Sequence, residues 1–96
     1  MNDTLLKAIS ERRLIELDYK GHHRMVAPHV YGIDSSGDEA VSVYQVWGGS
    51  QSGDAAGWKT FKVTDILDLK VTTRRFGVRP EYRHGDPAFK TIFRQV

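Results

Sequence analysis

Arginines interleaved with aromatic residues are the part of this sequence whose chemistry is most readily recognised. Four arginines lie close together in the last quarter of the chain: Arg74, Arg75, Arg79 and Arg83. Phe76 and Tyr82 lie between them, and Tyr44, Trp47 and Trp58 add rings earlier in the chain. Guanidinium groups bind phosphate and aromatic rings stack on bases, a combination typical of sites for single-stranded nucleic acid. The alternative is that the rings pack in a core while the arginines are solvated.

Catalytic and metal chemistry have little support in the sequence. The chain has no cysteine, which excludes disulfides, thiolate zinc sites and cysteine nucleophiles. His22 and His23 are adjacent, and their side chains point to opposite faces of an extended strand, so at most one of them can serve a given site. There is no Gly-Lys-Ser/Thr phosphate loop and no nucleophile elbow. We therefore expect neither an enzyme nor a metal or cofactor site.

Length and composition predict one globular domain. The chain has 96 residues, of which 40% are apolar and 27% charged, a size and balance that allow a single core. No apolar run is long enough to span a membrane, so we expect a cytoplasmic protein without a membrane partner. Residues 1–58 contain 5 Lys/Arg and 8 Asp/Glu, whereas residues 59–96 contain 9 and 4, which gives net charges of −3 and +5. This asymmetry indicates an anionic partner for the C-terminal part, unless its charges fold back onto the acidic half.

The N-terminal part of the chain predicts a helix followed by a β-hairpin. Apolar residues at helical spacing predict a helix over residues 4–13. Alternating apolar and acidic residues between Ile15 and Tyr19 predict a strand, and Gly21 predicts a tight turn. The chain then returns as a second strand that ends at Pro28, because proline lacks an amide donor.

The remainder of the chain predicts short strands and a final helix. Further strands are predicted over residues 29–33, 40–47, 58–63 and 66–72. Both faces of the strand over residues 40–47 carry apolar side chains, which favours a central strand covered on both sides. The polar, glycine-rich residues 48–57 predict a long hairpin loop. Asp86 and Pro87 are typical of a helix start, which predicts a short C-terminal helix.

Together these elements predict a mainly β (α+β) domain that spans residues 1–96. After the N-terminal helix over residues 4–13, these five or six short strands are expected to form a small SH3-like or Sm-like five-stranded barrel over residues 14–72. A basic tail with the short C-terminal helix is expected to occupy residues 73–96.

The order of these elements resembles the WYL domain, a small ligand-sensing module of many bacterial regulators. The resemblance covers residues 4–72 and rests on the helix, on the hairpin ending in Arg24-Met25-Val26-Ala27-Pro28, and on the strand that begins at Val41. Lys59-Thr60-Phe61 resembles the Arg-x-Phe segment of the family. Glu39 and Ala40 stand where the family has its Trp and Tyr, and Asp65 stands where an arginine is usual.

The resemblance implies a non-enzymatic regulatory module that senses a nucleotide or single-stranded nucleic acid. Arg24, Lys59 and Phe61 correspond to the family's pocket, with Tyr44 and Trp58 as stacking candidates. An anionic ligand would be steered by Arg74, Arg75 and Arg79.

A protein-interaction module that assembles through a strand edge is the alternative function. Its candidate partners are a second copy of the chain and a separate DNA-binding or effector protein. The apolar side chains on both faces of the strand over residues 40–47 fit a strand that is partly covered by a partner, and the acidic side chain of Asp65 would repel phosphate.

Overall fold

The computed structural model describes residues 1–49 and 56–96, which form one helix and six strands. In chain order these elements are α1 (Asp3–Glu11), β1 (Arg13–Tyr19), β2 (His22–Asp34), β3 (Glu39–Gly48), β4 (Gly57–Lys62), β5 (Ile66–Arg75) and β6 (Phe89–Gln95). A short 3-10 turn (Val63–Asp65) joins β4 to β5. Most of the predicted loop over residues 48–57 lies outside the described residues. No helix in the described ranges is long and apolar enough to cross a membrane.

The described strands form one antiparallel sheet in the order β4-β3-β2-β1-β5, with β6 added to β2. The strand β2 has 13 residues and pairs along one side with β3. Along its other side, residues 22–26 pair with β1 and residues 30–34 pair with β6. The end strands β4 and β5 do not pair with each other. The predicted five-stranded barrel was therefore wrong in strand number and in closure, although the mainly β class with an N-terminal helix is confirmed.

Local signals determine both ends of α1. The side chain of Asn2 accepts a hydrogen bond from the backbone N–H of Leu5 at 3.0 Å, which caps the first turn. The helix ends at Glu11, and its C-cap residue Arg12 has a left-handed backbone with φ of 52°. Arg13 already belongs to β1. The predicted helix is confirmed, but it ends two residues before the predicted position.

The main core lies on the inner face of the sheet, the side that packs on α1. Its buried residues are Leu5, Ala8, Ile9, Ile15, Leu17, Tyr19, Val26, Tyr31, Val41, Val43 and Phe61. The strands alternate side chains between two faces, so one face supplies this core while the other is free for different contacts.

A crossing segment, defined as residues 76–88 between β5 and β6, covers the opposite, outer face of the sheet. Phe76 begins it: its N–H donates to the Arg12 carbonyl at 2.9 Å, and its ring packs with Leu14, Met25 and Ala27.

The strand β3 lies between β2 and β4. Its apolar side chains belong both to the main core on the inner face and to the cluster around Phe76 on the outer face. This confirms the prediction of a central strand over residues 40–47.

Pro28 does not end a strand, because β2 continues through it to Asp34. The register between β2 and β3 shifts between Pro28 and Val30, and at such an irregularity the absence of a proline N–H costs no ladder bond. The two strands predicted on either side of Pro28 are therefore one.

The predicted C-terminal helix was also wrong, because the last element is the strand β6. Asp86 does accept hydrogen bonds in a turn, but this turn leads into β6. The neighbours Ile92 and Phe93 face opposite sides of the sheet. Ile92 packs on the outer face with Val30, Ala40 and Phe89, and the ring of Phe93 lies 5.2 Å from that of Tyr31 on the inner face. Pairing with β6 also satisfies backbone groups of β2 that would otherwise be buried without partners.

Candidate ligand-binding site

A buried histidine joins the crossing segment to the outer face. The side chain of His29 is 0% exposed. Its Nε2 accepts from the backbone N–H of Arg79 at 3.2 Å, so the ring proton lies on Nδ1, which donates to the Ala27 carbonyl at 2.9 Å. Three rings surround it: Trp58 at 4.8 Å, Phe76 at 5.1 Å and Tyr82 at 5.4 Å between centroids. A neutral imidazole thus supports the aromatic groups of this face.

Arg79 and Glu81 hold two further aromatic side chains in place. The guanidinium carbon of Arg79 lies 4.1 Å from the centroid of the Tyr44 ring, a cation–π contact. Arg79 Nε and Trp58 Nε1 each donate to Glu81 Oε1 at 3.1 Å. The backbone N–H of Glu81 itself, together with these two side chains, lowers the pKa of Glu81. The Trp58 indole is therefore fixed in orientation before any ligand arrives.

An open cleft of about 380 Å³ lies between β3, β4 and the crossing segment. We call it the aromatic cleft, and its lining residues are Ser42, Trp58, Thr60, Glu81, Tyr82, Arg83, Asp86 and Pro87. Ser42 and Thr60 are a cross-strand pair of β3 and β4, and their neighbours Tyr44 and Trp58 are the next such pair on the same face. Gln95 of β6 accepts from the Tyr82 hydroxyl at 2.8 Å, which fixes one wall.

The polar groups of the aromatic cleft retain binding capacity. Within the described part of the chain, the hydroxyls of Ser42 and Thr60 have no hydrogen-bond partner, and Arg83 has no ion pair. Trp58 is 37% exposed and lines the cleft, so part of its indole is accessible to a ligand. The cleft therefore combines an aromatic plane, two hydroxyls and a cation.

A second polar group, which we call the Arg24 cluster, lies on the inner face. Arg24 is 3% exposed and donates to the Tyr19 carbonyl at 2.9 Å and to Gln45 Oε1 at 3.2 Å. Its guanidinium lies 5.1 Å from the Phe61 ring, which stacks on Tyr19 at 4.2 Å. Burial lowers the pKa of Arg24. Among the described residues this cation has no salt bridge, and its Nε has no hydrogen-bond partner.

The structure divides the predicted site residues between the two faces. Arg24 and Phe61 are in contact in the Arg24 cluster, and strand alternation puts Lys59 on the same face as Phe61. Tyr44 and Trp58 contact each other on the outer face. The three predicted steering residues are separated as well: Arg74 and Arg75 are exposed at the end of β5, whereas Arg79 lies against Tyr44. The five pocket residues thus form two groups rather than one pocket.

Several groups of the aromatic cleft were not singled out as site residues from the sequence. Ser42 and Thr60 could have been found, because alternation places each on the same face as a predicted stacking residue. Glu81 of the cleft, and His29, which packs behind Trp58 and Tyr82, had no such signal, since their contacts depend on the path of the crossing segment. No group of three metal-ligating side chains occurs among residues 1–49 and 56–96.

Lowering the pH below neutrality is expected to destabilise the fold through His29. Burial lowers the pKa of His29 below its ordinary value of 6.5, Arg79 lowers it further, and the bond to Ala27 and the Glu81 charge offset part of this effect. The unfolded chain therefore takes up the proton first. The contribution of neutral His29 to the free energy of unfolding is fully present above about pH 6.5. Below that pH it decreases by at most about 1.4 kcal/mol per pH unit, until the pH is below the pKa of His29 in the folded protein.

Urea unfolding at about pH 7.5, 6.5 and 5.5 measures this dependence. His29→Gln is expected to flatten it, whereas His84→Gln, at an exposed position, should leave it unchanged. An equal slope in the wild type and in His29→Gln would contradict the assignment.

Comparisons of the chain with protein-family models, with curated proteins and with solved structures find no match. The resemblance to the WYL domain therefore stays a prediction, and function has to be inferred from the geometry of the site.

Proposed function

We propose that this chain is a non-enzymatic, regulatory binding module, of the WYL type, that holds a nucleotide or one base of a single-stranded nucleic acid in the aromatic cleft. The observation that carries the proposal is the combination, in one cavity, of a partly exposed Trp58 with polar groups that have no partner in the described ranges. Its volume of about 380 Å³ lies within the range of roughly 300–1,000 Å³ that small-molecule sites have.

The orientation of Trp58 supports base stacking. Its ring stands nearly perpendicular to Tyr44, at 84° and 5.6 Å, and its Nε1–H is bonded to Glu81. A ring that is already fixed loses little conformational entropy when a base stacks on it. Such a stack contributes about 1–3 kcal/mol per base.

The distribution of cations supports an anionic ligand. Arg83 lines the aromatic cleft, and Arg74 and Arg75 lie at the end of β5, just before the crossing segment. These three arginines form no ion pair within the described ranges, whereas Arg79 is paired with Glu81. They can therefore attract phosphate, and the attraction should weaken as salt is added.

The proposal is tested by titrating the protein with labelled single-stranded DNA and RNA and with mononucleotides, at about 50 mM and 200 mM salt. Trp58→Ala is expected to weaken binding about tenfold, because it removes a stack worth more than about 1.4 kcal/mol. Arg83→Glu is expected to weaken binding and to reduce its salt dependence.

Trp47 provides a matched control for the loss of an indole. It is 44% exposed, close to the 37% of Trp58, and its ring contacts His23 at 5.6 Å instead of lining the cleft. Trp47→Ala should bind as the wild type does. Absence of binding by the folded protein at low salt would refute the proposal. The protein-interaction alternative would then be favoured, for which Leu67, 64% exposed on the edge strand β5, is the supporting observation.

A further inference from the structure

We propose that the aromatic cleft selects guanine, and that the carboxylate of Asp86 makes the selection. This inference rests on the proposed function, and it adds the identity of the base. It is carried by a carboxylate that has one oxygen without a hydrogen-bond partner in the described ranges and that lines the same cavity as Ser42, Thr60 and Trp58.

The carboxylate of Asp86 is held by its own turn. Its Oδ1 accepts from the backbone N–H of Ala88 at 2.9 Å, and its carbonyl accepts from the N–H of Phe89 at 3.1 Å. Phe89 is the first residue of β6 and pairs with Asp34 of β2. The turn is therefore anchored to the sheet, and the carboxylate has little freedom to turn away from the cleft.

The second carboxylate oxygen of Asp86 is available to a ligand. Oδ2 has no hydrogen-bond partner among residues 1–49 and 56–96, and Asp86 forms no salt bridge there. Burial raises the pKa of Tyr82, and the nearby charge of Asp86 raises it further. The carboxylate of Asp86 thus lies near Tyr82, which forms one wall of the cleft. Its negative charge is not paired with any cation in the described ranges.

This arrangement matches the Watson–Crick edge of guanine. An ionised carboxylate only accepts hydrogen bonds, and guanine presents two adjacent donors, the N1–H and the 2-amino group. Adenine presents an acceptor, N1, beside its amino group, so one contact with a carboxylate would be repulsive. A site built to pair with a donor rejects a base that lacks it, because the protein group is then left without a partner.

The remaining groups of the cleft complement the other parts of a guanine nucleotide. The hydroxyls of Ser42 and Thr60, which lie opposite each other on β3 and β4, can donate to the O6 and N7 acceptors of a base stacked on Trp58. Arg83 lines the same cavity and can bind a phosphate. The N1–H, 2-amino, O6 and N7 groups of the base and the phosphate of guanosine monophosphate thereby have candidate partners among the residues of the cleft.

The test uses the Trp47→Phe protein, in which Trp58 is the sole tryptophan and its fluorescence reports stacking. We titrate it with guanosine, inosine and adenosine monophosphates. Guanosine monophosphate should bind about tenfold or more tightly than adenosine monophosphate, which is the discrimination expected of a bidentate contact. Inosine monophosphate lacks the 2-amino group and should lie between them.

Asp86→Asn in the same background should abolish most of this preference. Asparagine keeps an oxygen that can accept from Ala88 but replaces one acceptor with a donor. Asp65→Asn is the matched control, because Asp65 is exposed and lies outside the cleft. If the Asp86→Asn protein melts at a lower temperature, its affinities are set aside. The affinities of the Trp47→Phe protein for the three nucleotides then test the guanine preference by themselves.

Thymine-rich strands that carry a single central guanine or adenine show which source of guanine is used. Tighter binding of the guanine-containing strand than of guanosine monophosphate assigns the base to a nucleic acid, and a guanine preference confined to mononucleotides assigns it to a free nucleotide. Binding of all bases with equal affinity, lost in Trp58→Ala, would overturn the guanine assignment and leave the proposed function standing. No binding of any nucleotide or strand would overturn both.

Discussion

Replacing Phe61 with alanine is expected to lower the free energy of unfolding by about 3–5 kcal/mol. The Phe61 side chain is 2% exposed and belongs to the core that packs on α1. It also stacks on Tyr19 at 4.2 Å and lies under the Arg24 guanidinium. The cavity would leave both neighbours without packing, and the loss is a large part of the roughly 5–15 kcal/mol that stabilises a domain. Urea denaturation followed by circular dichroism measures it.

Leu67→Ala is the control for this prediction, because Leu67 is 64% exposed on the edge strand β5. Its effect should stay within about 0.5 kcal/mol. Should Phe61→Ala cost less than about 1 kcal/mol, Phe61 does not have the core position described for it.

Replacing Gly32 with alanine is expected to detach β6 from the sheet. An added Cβ would overlap the carbonyl oxygen of Thr91 and lie 3.0 Å from the Cα of Ile92, both of which are backbone atoms that cannot rotate away. The register between β2 and β6 shifts beside this glycine, which explains the close approach. We expect a loss of about 1–3 kcal/mol or more, and faster amide exchange in β6 than in β1.

Gly77→Ala provides the comparison, because an added Cβ would meet no atom within 4 Å there. That substitution should be neutral or slightly stabilising, since alanine restricts the unfolded chain. Slow exchange throughout β6 in folded Gly32→Ala protein would contradict the expected detachment. Binding to the aromatic cleft should weaken in Gly32→Ala, because Gln95 of β6 holds Tyr82.

The features of the fold that were predicted correctly depend on residues close together in sequence. The helix α1 and the hairpin of β1 and β2 follow from periodicity and from the turn at Gly21, which has φ of 80°. The continuity of β2 through Pro28 depends on a register shift against β3. The strand β6 exists because a distant edge of β2 needs partners, a demand that outweighs the helical spacing of its apolar residues.

The candidate site, like the fold, could be predicted from the sequence only where it depends on a local pattern. The sequence grouped Arg24, Phe61, Tyr44 and Trp58 in one pocket, whereas the structure brings Tyr44 to Trp58 and Arg24 to Phe61, because alternation assigns faces only when the register of the sheet is known. That these pairs lie on opposite faces follows from the same alternation. The path of the crossing segment has no periodicity, so the meeting of its residues with β3 and β4 could not be derived from local pattern.

The two pairings along one side of β2 differ in the length of chain that must be ordered before each can form. The hairpin with β1 closes over the turn at Lys20 and Gly21, whereas the pairing with β6 joins residues 30–34 to residues 89–95. Closing the longer loop costs more entropy, so local pairs form early and distant pairs late. Because β6 anchors the wall of the aromatic cleft, the nascent protein would complete its hairpin first and acquire its ligand site only in the closing stage of folding.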